Sequence, residues 1–394
     1  MKNLLKKING SKDLTEGNPM KLILNFGLPL LFGLLFQQFY NMVDTIIVGK
    51  FLGVDALAAV GSTGSINFMI LGFCIGICNG FAIPVAQAFG AKDTDNMKKY
   101  ITNCVWASIF FAAVMTVAVG ILTRNILIWM KTPDSILDQA FIYIFIIFMG
   151  IPATFLYNMV SGILRSLGDS VTPVVCLIAS SLLNIVLDIL LVRPMGVAGA
   201  AVATVISQGL SVILCLFRMC RLKDYTRLDF RKIRYHAWMM KQVLHQGLPS
   251  GIQNAVITVG NLVIQKNINS FGAYAMSGMG AYSKIEGFVF LPIMSMAMAL
   301  PTFVSQNLGA RQYHRAKKGA VFGILFGMIT AEVTGLLIYF FIPYALKIFG
   351  STQEAIAYGT IHAHIVSLFF FLLAFSHCAA GVMRGCGYAV VPMA

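Results

Sequence analysis

Apolar residues in this chain fall into long blocks, separated by short polar stretches and by stretches that carry glycine or proline. A helix crossing the hydrocarbon core of a bilayer needs about 20 apolar residues. Ten segments meet that length, roughly 22–48, 60–88, 101–122, 139–162, 171–192, 196–219, 244–270, 280–306, 319–341 and 358–381. Turn and breaker signals separate most of them: Gly53, Gly90 ahead of Lys92 and Asp93, Pro133, Gly168 to Pro173, Pro194 with Gly196, Gly309 and Gly350. The pattern predicts an all-α polytopic membrane protein with about ten helices present.

Composition narrows the class further. The chain has 394 residues, of which 58% are hydrophobic and 11% charged, against about 45–50% apolar and ~25% charged in soluble domains. With a mean hydropathy of +0.80, an ordinary soluble enzyme, a disordered protein and a collagen-like fibre are excluded. A net charge of +14 would suit a nucleic-acid binder if the cations lined one face, but their distribution follows the helix ends. Seven, Lys50, Arg124, Lys131, Arg193, Lys266, Lys284 and Lys347, fall at one set of ends. The rest lie in the N-terminal tail and in alternate loops, above all along Arg218, Arg221, Lys223, Arg227, Arg231, Lys232 and Arg234. This is the positive-inside asymmetry of a bacterial-type inner or plasma membrane, with the N-terminus expected in the cytoplasm. No nucleic-acid partner is expected. Of eight cysteines, Cys74, Cys78, Cys104, Cys176, Cys215 and Cys378 lie in apolar stretches and no CxxC pair occurs, so they read as small core residues. The first nineteen residues carry positive charge but no apolar core of a removable signal peptide, so the first span is expected to act as its own insertion signal.

The sequence repeats itself. VAQAFGAKDTDNMKK, starting at Val85, returns as VSQNLGARQYHRAKK, starting at Val304, 219 residues later. The same shift carries Gly162, Arg165, Gly168 and Pro173 to Gly381, Arg384, Gly387 and Pro392, and a shift of 220 carries Gly27-Leu28-Pro29 to Gly247-Leu248-Pro249. Six spans separate the copies, so both start on the same side, and the repeat is parallel, about an axis along the membrane normal. Two lobes are expected: 1–219 with helices one to six, and 244–394 with helices seven to ten. They are joined by a basic cytoplasmic linker at 220–243, whose charge equally suits a membrane-surface helix on anionic lipid. Counterparts of the fifth and sixth spans would fall beyond Ala394, so the second lobe is expected to be incomplete, truncated at its C-terminal end.

LPLLFGLLFQQFYNMVDTIIVGKFLGVDALAAVGSTG, followed by PVAQAFGAKD, ILRSLGDSVTP and SLLNIVLDILLV, resembles the multidrug and toxic compound extrusion (MATE) family. The resemblance covers essentially the whole chain, more strongly in the first lobe. It implies a twelve-helix fold of two six-helix lobes. It also implies a secondary transporter, not an enzyme, that expels small amphiphilic, often cationic compounds in exchange for Na⁺ or H⁺, with no cofactor beyond that coupling ion. A monomer in contact with membrane lipids is expected. The family's first-lobe cation site maps onto Asp44 in the first span, Asn158 in the fourth, Asn184 and Asp188 in the fifth and Thr204 in the sixth.

Residue chemistry points the same way. An ionisable side chain at the bilayer centre costs about 2.5–3.5 kcal/mol or more and is a functional hypothesis by default. Asp44 and Asp188 are such groups, and Asn184 and Asp188, four apart, share a helix face. Carboxylate, amide and hydroxyl oxygens suit a hard cation, and a carboxylate removed from water can equally carry a proton. The plainer alternative is that Asn184 and Asp188 bond to neighbouring helices and Asp44 faces water at the headgroup level. In the second lobe, Glu286 and Glu332 are candidates for a substrate cavity, although Glu286 could pair with a snorkelling Lys284 near the interface. His362, His364 and His377 have no matching ligand set and are expected to pack. Gly72, Gly76 and Gly80 form a small-xxx-small ladder suited to close helix approach. No Walker A sequence is present, which leaves an ion gradient as the driving force. Two other readings stay open: a lipid-linked oligosaccharide or polysaccharide flippase of the same wider fold group, and a channel or receptor that does not transport.

Overall fold

The computed structural model describes residues 13–130, 132–222, 235–348 and 352–394. Lys131, Gly350, residues 1–12 of the tail and the linker cations Lys223, Arg227, Arg231, Lys232 and Arg234 lie outside the described residues. The helices are α1 (Pro19–Leu52), α2 (Val54–Gly90), α3 (Thr94–Trp129), α4 (Asp134–Met149), α5 (Ile151–Ser166), α6 (Val171–Met195) and α7 (Val197–Arg221). After the linker come α8 (Ala237–Ser270), α9 (Ala273–Gly309), α10 (Tyr313–Ile348), α11 (Gln353–Ser367), α12 (Phe370–Gly385) and the short α13 (Val390–Met393). There is no strand among the described residues.

Among the described residues the ten expected spans become thirteen helical elements, chiefly because two spans are broken. The fourth bends by 43° between α4 and α5, at Gly150 with Pro152 in the first turn beyond it, and proline both removes an N–H and fixes φ. The tenth bends by 55° between α11 and α12, where neither glycine nor proline stands. There the Glu332 carboxylate of α10 accepts a hydrogen bond from the Phe371 N–H at 3.2 Å, satisfying one of the free donors that any helix start exposes. Among the described residues, seven unbroken helices are long and apolar enough to cross a membrane, or nine spans with the two bent pairs. The expected span 244–270 forms as the 34-residue α8 but is too polar to count among them, because Gln246, Gln253, Asn254, Asn261 and Gln265 punctuate it. The linker is shorter than expected, since α7 runs to Arg221 and α8 begins at Ala237.

The 219-residue repeat is written into backbone conformation. Positive φ occurs at Gly53 (84°) and Gly272 (93°), at Lys92 (57°) and Arg311 (58°), and at Gly168 (83°) and Gly387 (91°). Each pair is separated by that offset. Packing repeats it as well. A methyl group on Gly90 would strike the Gln306 carbonyl, and one on Gly309 would strike the Gln87 carbonyl. Residue i meets j while the equivalent of i meets the equivalent of j, as a two-fold relation between halves requires. Gly76 and Gly80 of α2 likewise sit against the backbone of α8 at Ser250, Gly251, Gln246 and Gly247, so this part of the glycine ladder brings two helices into backbone contact. Gly72 meets nothing within 4 Å of an added Cβ, though its carbonyl accepts from Asn254 Nδ2 at 3.1 Å.

Three buried clusters hold the bundle. One runs from the end of α1, at Ile47 and Val48, through α2 to α7 and the start of α8. A second joins α9, α10, α11 and α12. The third crosses between the halves: Ile23, Phe26 and Leu30 of α1 pack with Met296, Leu300 and Phe303 of α9. The segment ahead of α1 reinforces this crossing. Leu14 is 1% exposed; its N–H donates to Gln306 Oε1 (3.0 Å), and its carbonyl accepts from Asn307 Nδ2 and Arg315 Nη2 (3.2 Å each). Gln306 Nε2 in turn donates to the Ser166 carbonyl at 2.7 Å, and its repeat equivalent Gln87 donates through Nε2 to the Gly385 carbonyl at 3.4 Å. The helix ends beside the linker are therefore sealed across the halves. Toward the opposite ends, residues 259–267 of α8 are exposed around the whole helix.

The sealed contact makes a sharp prediction. Gly309→Val should lower the apparent midpoint of thermal unfolding in detergent, because overpacking of this kind costs about 1–3 kcal/mol. Gly61→Ala, where nothing lies within 4 Å of an added Cβ, should leave the midpoint unchanged or raise it slightly, since alanine is the better helix former. Equal midpoints for the two variants would contradict the contact.

Candidate cation site

The α6–α7 hairpin supplies most of the expected residues, and polar ties set its register. At the start of α6, Asp169 accepts from the Thr172 N–H (2.9 Å) and hydroxyl (2.6 Å) and pairs with Arg218 near the end of α7 at 3.3 Å. Midway, the Ser211 hydroxyl donates to that of Ser180 at 2.5 Å. At the turn, Gly196 adopts φ 60°, and Gly199 lies so close to the Leu191 backbone that a methyl group would clash with it. These ties hold Asn184 and Asp188 on the buried face of α6, 1% and 0% exposed. α1 crosses α6 with Gly33 against the Val174 side chain, which carries Asp44 to the same interior.

The carboxyl groups of Asp44 and Asp188 face each other within hydrogen-bonding reach. Neither is supplied with donors. Asp44 Oδ1, both carboxyl oxygens of Asp188 and both amide atoms of Asn184 are buried without a hydrogen-bond partner. No Lys or Arg among the described residues forms an ion pair with either acid. Side by side, two carboxylates repel each other unless a proton or a cation lies between them. Tyr40, one turn before Asp44 on α1, lies close to Thr204 and to both acids, while the Thr204 hydroxyl donates to the Ala200 carbonyl at 3.0 Å. Tyr143 of α4 also lies near both. Asp44, Asn184, Asp188 and Thr204 thus share one environment. Asn158 is engaged elsewhere, its Nδ2 donating to the Thr154 carbonyl of its own helix at 2.8 Å. Tyr40 and Tyr143 are additions to the expected set. The first was legible as an i, i+4 neighbour of Asp44, whereas nothing local in the sequence singles out the second.

In the second half, Glu286 stands one helical turn from Tyr282, which is 0% exposed and whose hydroxyl has no partner. Thr63 and Asn67 occupy the corresponding positions of the first half. Lys284 forms no ion pair with Glu286 among the described residues. Glu332 is committed to the start of α12. The three histidines pack on aromatic rings: His362 edge-on to Tyr282 (5.0 Å), His377 edge-on to Phe290 (5.0 Å) and His364 stacked on Tyr339 (4.2 Å).

The family model for MatE matches residues 29–190 and 249–394. The chain belongs to the MatE family. It is 30% identical over 378 residues to the probable multidrug resistance protein YpnP of Bacillus subtilis, covering 95% of this chain and 84% of that protein. A second Bacillus subtilis relative, the probable multidrug resistance protein YoeA, is 30% identical over 93% of this chain and 81% of its own length. Among solved structures, a MOP superfamily transporter from Pyrococcus furiosus superposes with a TM-score of 0.91 at 21% identity, covering 98% of this chain and 86% of that one. As a member of the MatE family the chain is a multi-pass membrane transporter and not an enzyme.

Unneutralised acids at the centre of this transporter have a measurable cost. In buffer free of Na⁺ at neutral pH, Asp188→Asn should keep or raise the apparent unfolding midpoint, by up to a few degrees for about 1 kcal/mol of relieved repulsion. Asn184→Asp, which adds a third acid, should lower it. Shifts of the same sign in both variants would show that the two aspartates do not interact.

Proposed function

We propose that this chain exports small amphiphilic, often cationic compounds, driven by Na⁺ or H⁺ entering through the Asp44–Asp188 site. The observation that carries this reading is that the half-buried carboxyl of Asp44 and the fully buried one of Asp188 lie together with no donor to Asp44 Oδ1 or to either oxygen of Asp188, an arrangement that one cation or one proton completes. The neighbouring oxygens of Asn184, Thr204 and Tyr40 fit either ion. Support for the substrate class comes from the relatives, which carry the name multidrug resistance protein, and from Glu286 beside the unpartnered Tyr282 hydroxyl, a pairing of carboxylate and aromatic ring suited to an organic ammonium group.

In this reading the linker ends of the helices are cytoplasmic, as the Lys and Arg distribution favours. The sealed contacts of Gly90, Gly309, Gln306 and Leu14 then close the cytoplasmic side, and the halves part toward the outside. Transport requires a second state in which those contacts open. Cation occupancy shifts the balance between the two states only to the extent that it binds one of them more tightly. Neutralising the Asp44–Asp188 pair removes mutual repulsion, lets α1 and α6 close on each other and so couples the ion to the rearrangement of α1, the helix whose core crosses between the halves.

The test is efflux of a fluorescent cationic dye from cells expressing the protein, with the Na⁺ and H⁺ gradients collapsed separately. Asp44→Asn and Asp188→Asn should reduce gradient-driven efflux to background while the protein still reaches the membrane. Asn184→Ala and Thr204→Ala, each removing one neutral ligand worth about 1 kcal/mol, should weaken apparent cation affinity about fivefold. Wild-type efflux in both aspartate variants, or efflux indifferent to both gradients, would reject the assignment.

A further inference from the structure

Apart from the transport pathway, the surface carries a groove of about 580 Å³ between the start of α1 and the outward face of α10. Its walls divide by chemistry along the helix axis. At the linker end stand His314, Lys317 and Lys318; farther along come Phe322, Leu325, Phe326 and Ile329, with Met20 of α1 opposite. The three basic residues are exposed, as are Val321, Leu325 and Ile329. From Lys318 to Ile329 the helix rises about 16 Å, close to the ~15 Å of one leaflet's hydrocarbon. The groove therefore has the length and polarity of one phospholipid, with its headgroup at the lysines.

Charge makes the match more specific. Between Ala310 and Ala331 the sequence has Arg311, His314, Arg315, Lys317 and Lys318 and no carboxylate. The nearest acids belong to the segment ahead of α1 and are engaged: Glu16 with Lys92 at 3.8 Å, and Asp13 with the Thr15 N–H at 2.8 Å and its hydroxyl at 2.5 Å. Neither Lys317 nor Lys318 has an ion-pair partner among the described residues. The repeat provides an internal control. In the first half Asp95 stands where His314 does and Asn103 where Phe322 does. Asn103 is 0% exposed and accepts from the His236 N–H at 3.3 Å, so that face is covered by the segment leading into α8. The repeated dilysine is thus combined with an open apolar groove in the second half alone.

We propose that this groove binds one anionic phospholipid, its phosphate held by Lys317 and Lys318 and an acyl chain lying along Phe322, Leu325 and Ile329. Such a lipid touches both α1 and α10 beside the segment that seals the linker end. The experiment is native mass spectrometry of the full chain titrated with phosphatidylglycerol and with phosphatidylcholine of the same acyl chains. The wild type should retain one phosphatidylglycerol in preference to phosphatidylcholine. Lys317→Gln with Lys318→Gln should weaken that binding about thirtyfold, roughly fivefold per lysine, whereas Lys98→Gln with Lys99→Gln should leave it intact. Equal retention of the two lipids by the wild type, an undiminished preference in the Lys317/Lys318 variant, or full displacement of the lipid by inorganic phosphate alone would overturn the proposal.

Discussion

Inside a bilayer a polar group has only the protein to bond with, because no water reaches it and an unmet donor or acceptor costs several kcal/mol. That constraint explains why every described element is helical and why the exceptions carry meaning. Where α11 breaks from α12, a carboxylate from α10 meets a freed N–H. Where α4 breaks from α5, a proline removes a donor that would otherwise need a partner. Asp44, Asn184 and Asp188 are among the buried polar side chains that lack a partner, as are Asn67, Ser161, Tyr282 and Asn307; they differ from these in bringing two carboxyls together.

Close backbone contact is the second organising feature. Lipid tails are as apolar as leucine, so helices in a membrane gain little from burying large side chains and much from approaching closely. The glycines of α2, α8 and α9 permit that approach at the linker end, and the reciprocal placement of Gly90 and Gly309 makes the seam two-fold. A seam built from glycine against carbonyl is tight but depends on few side chains. It is held further by amide groups such as Gln306 and Gln87, whose hydrogen bonds each reach the other half.

The halves are not symmetric in content. The first carries the facing acids; the second carries Glu286 beside Tyr282 and, on its lipid-facing side, a basic rim above an apolar groove. Repetition of the backbone with divergence of the side chains lets one framework place a pair of acids in one half and different chemistry in the other. α1 links the two, because it bears Asp44 while its first half is packed into the core of α9.

The sequence by itself determined the membrane class, ten apolar segments, the parallel repeat and the shared face of Asn184 and Asp188. All of these follow from local quantities: the apolar length a bilayer demands, the recurrence of turn residues at one offset, and the 3.6-residue period of a helix. Only the tertiary structure decided that Asp44 meets Asp188, that Tyr143 joins them from α4, that Asn158 turns to its own backbone and that Glu332 supports a helix break. Those outcomes depend on how far each helix is rotated about its axis and which neighbour it faces. Rotation is set by packing among distant segments, so no stretch of sequence read alone contains it.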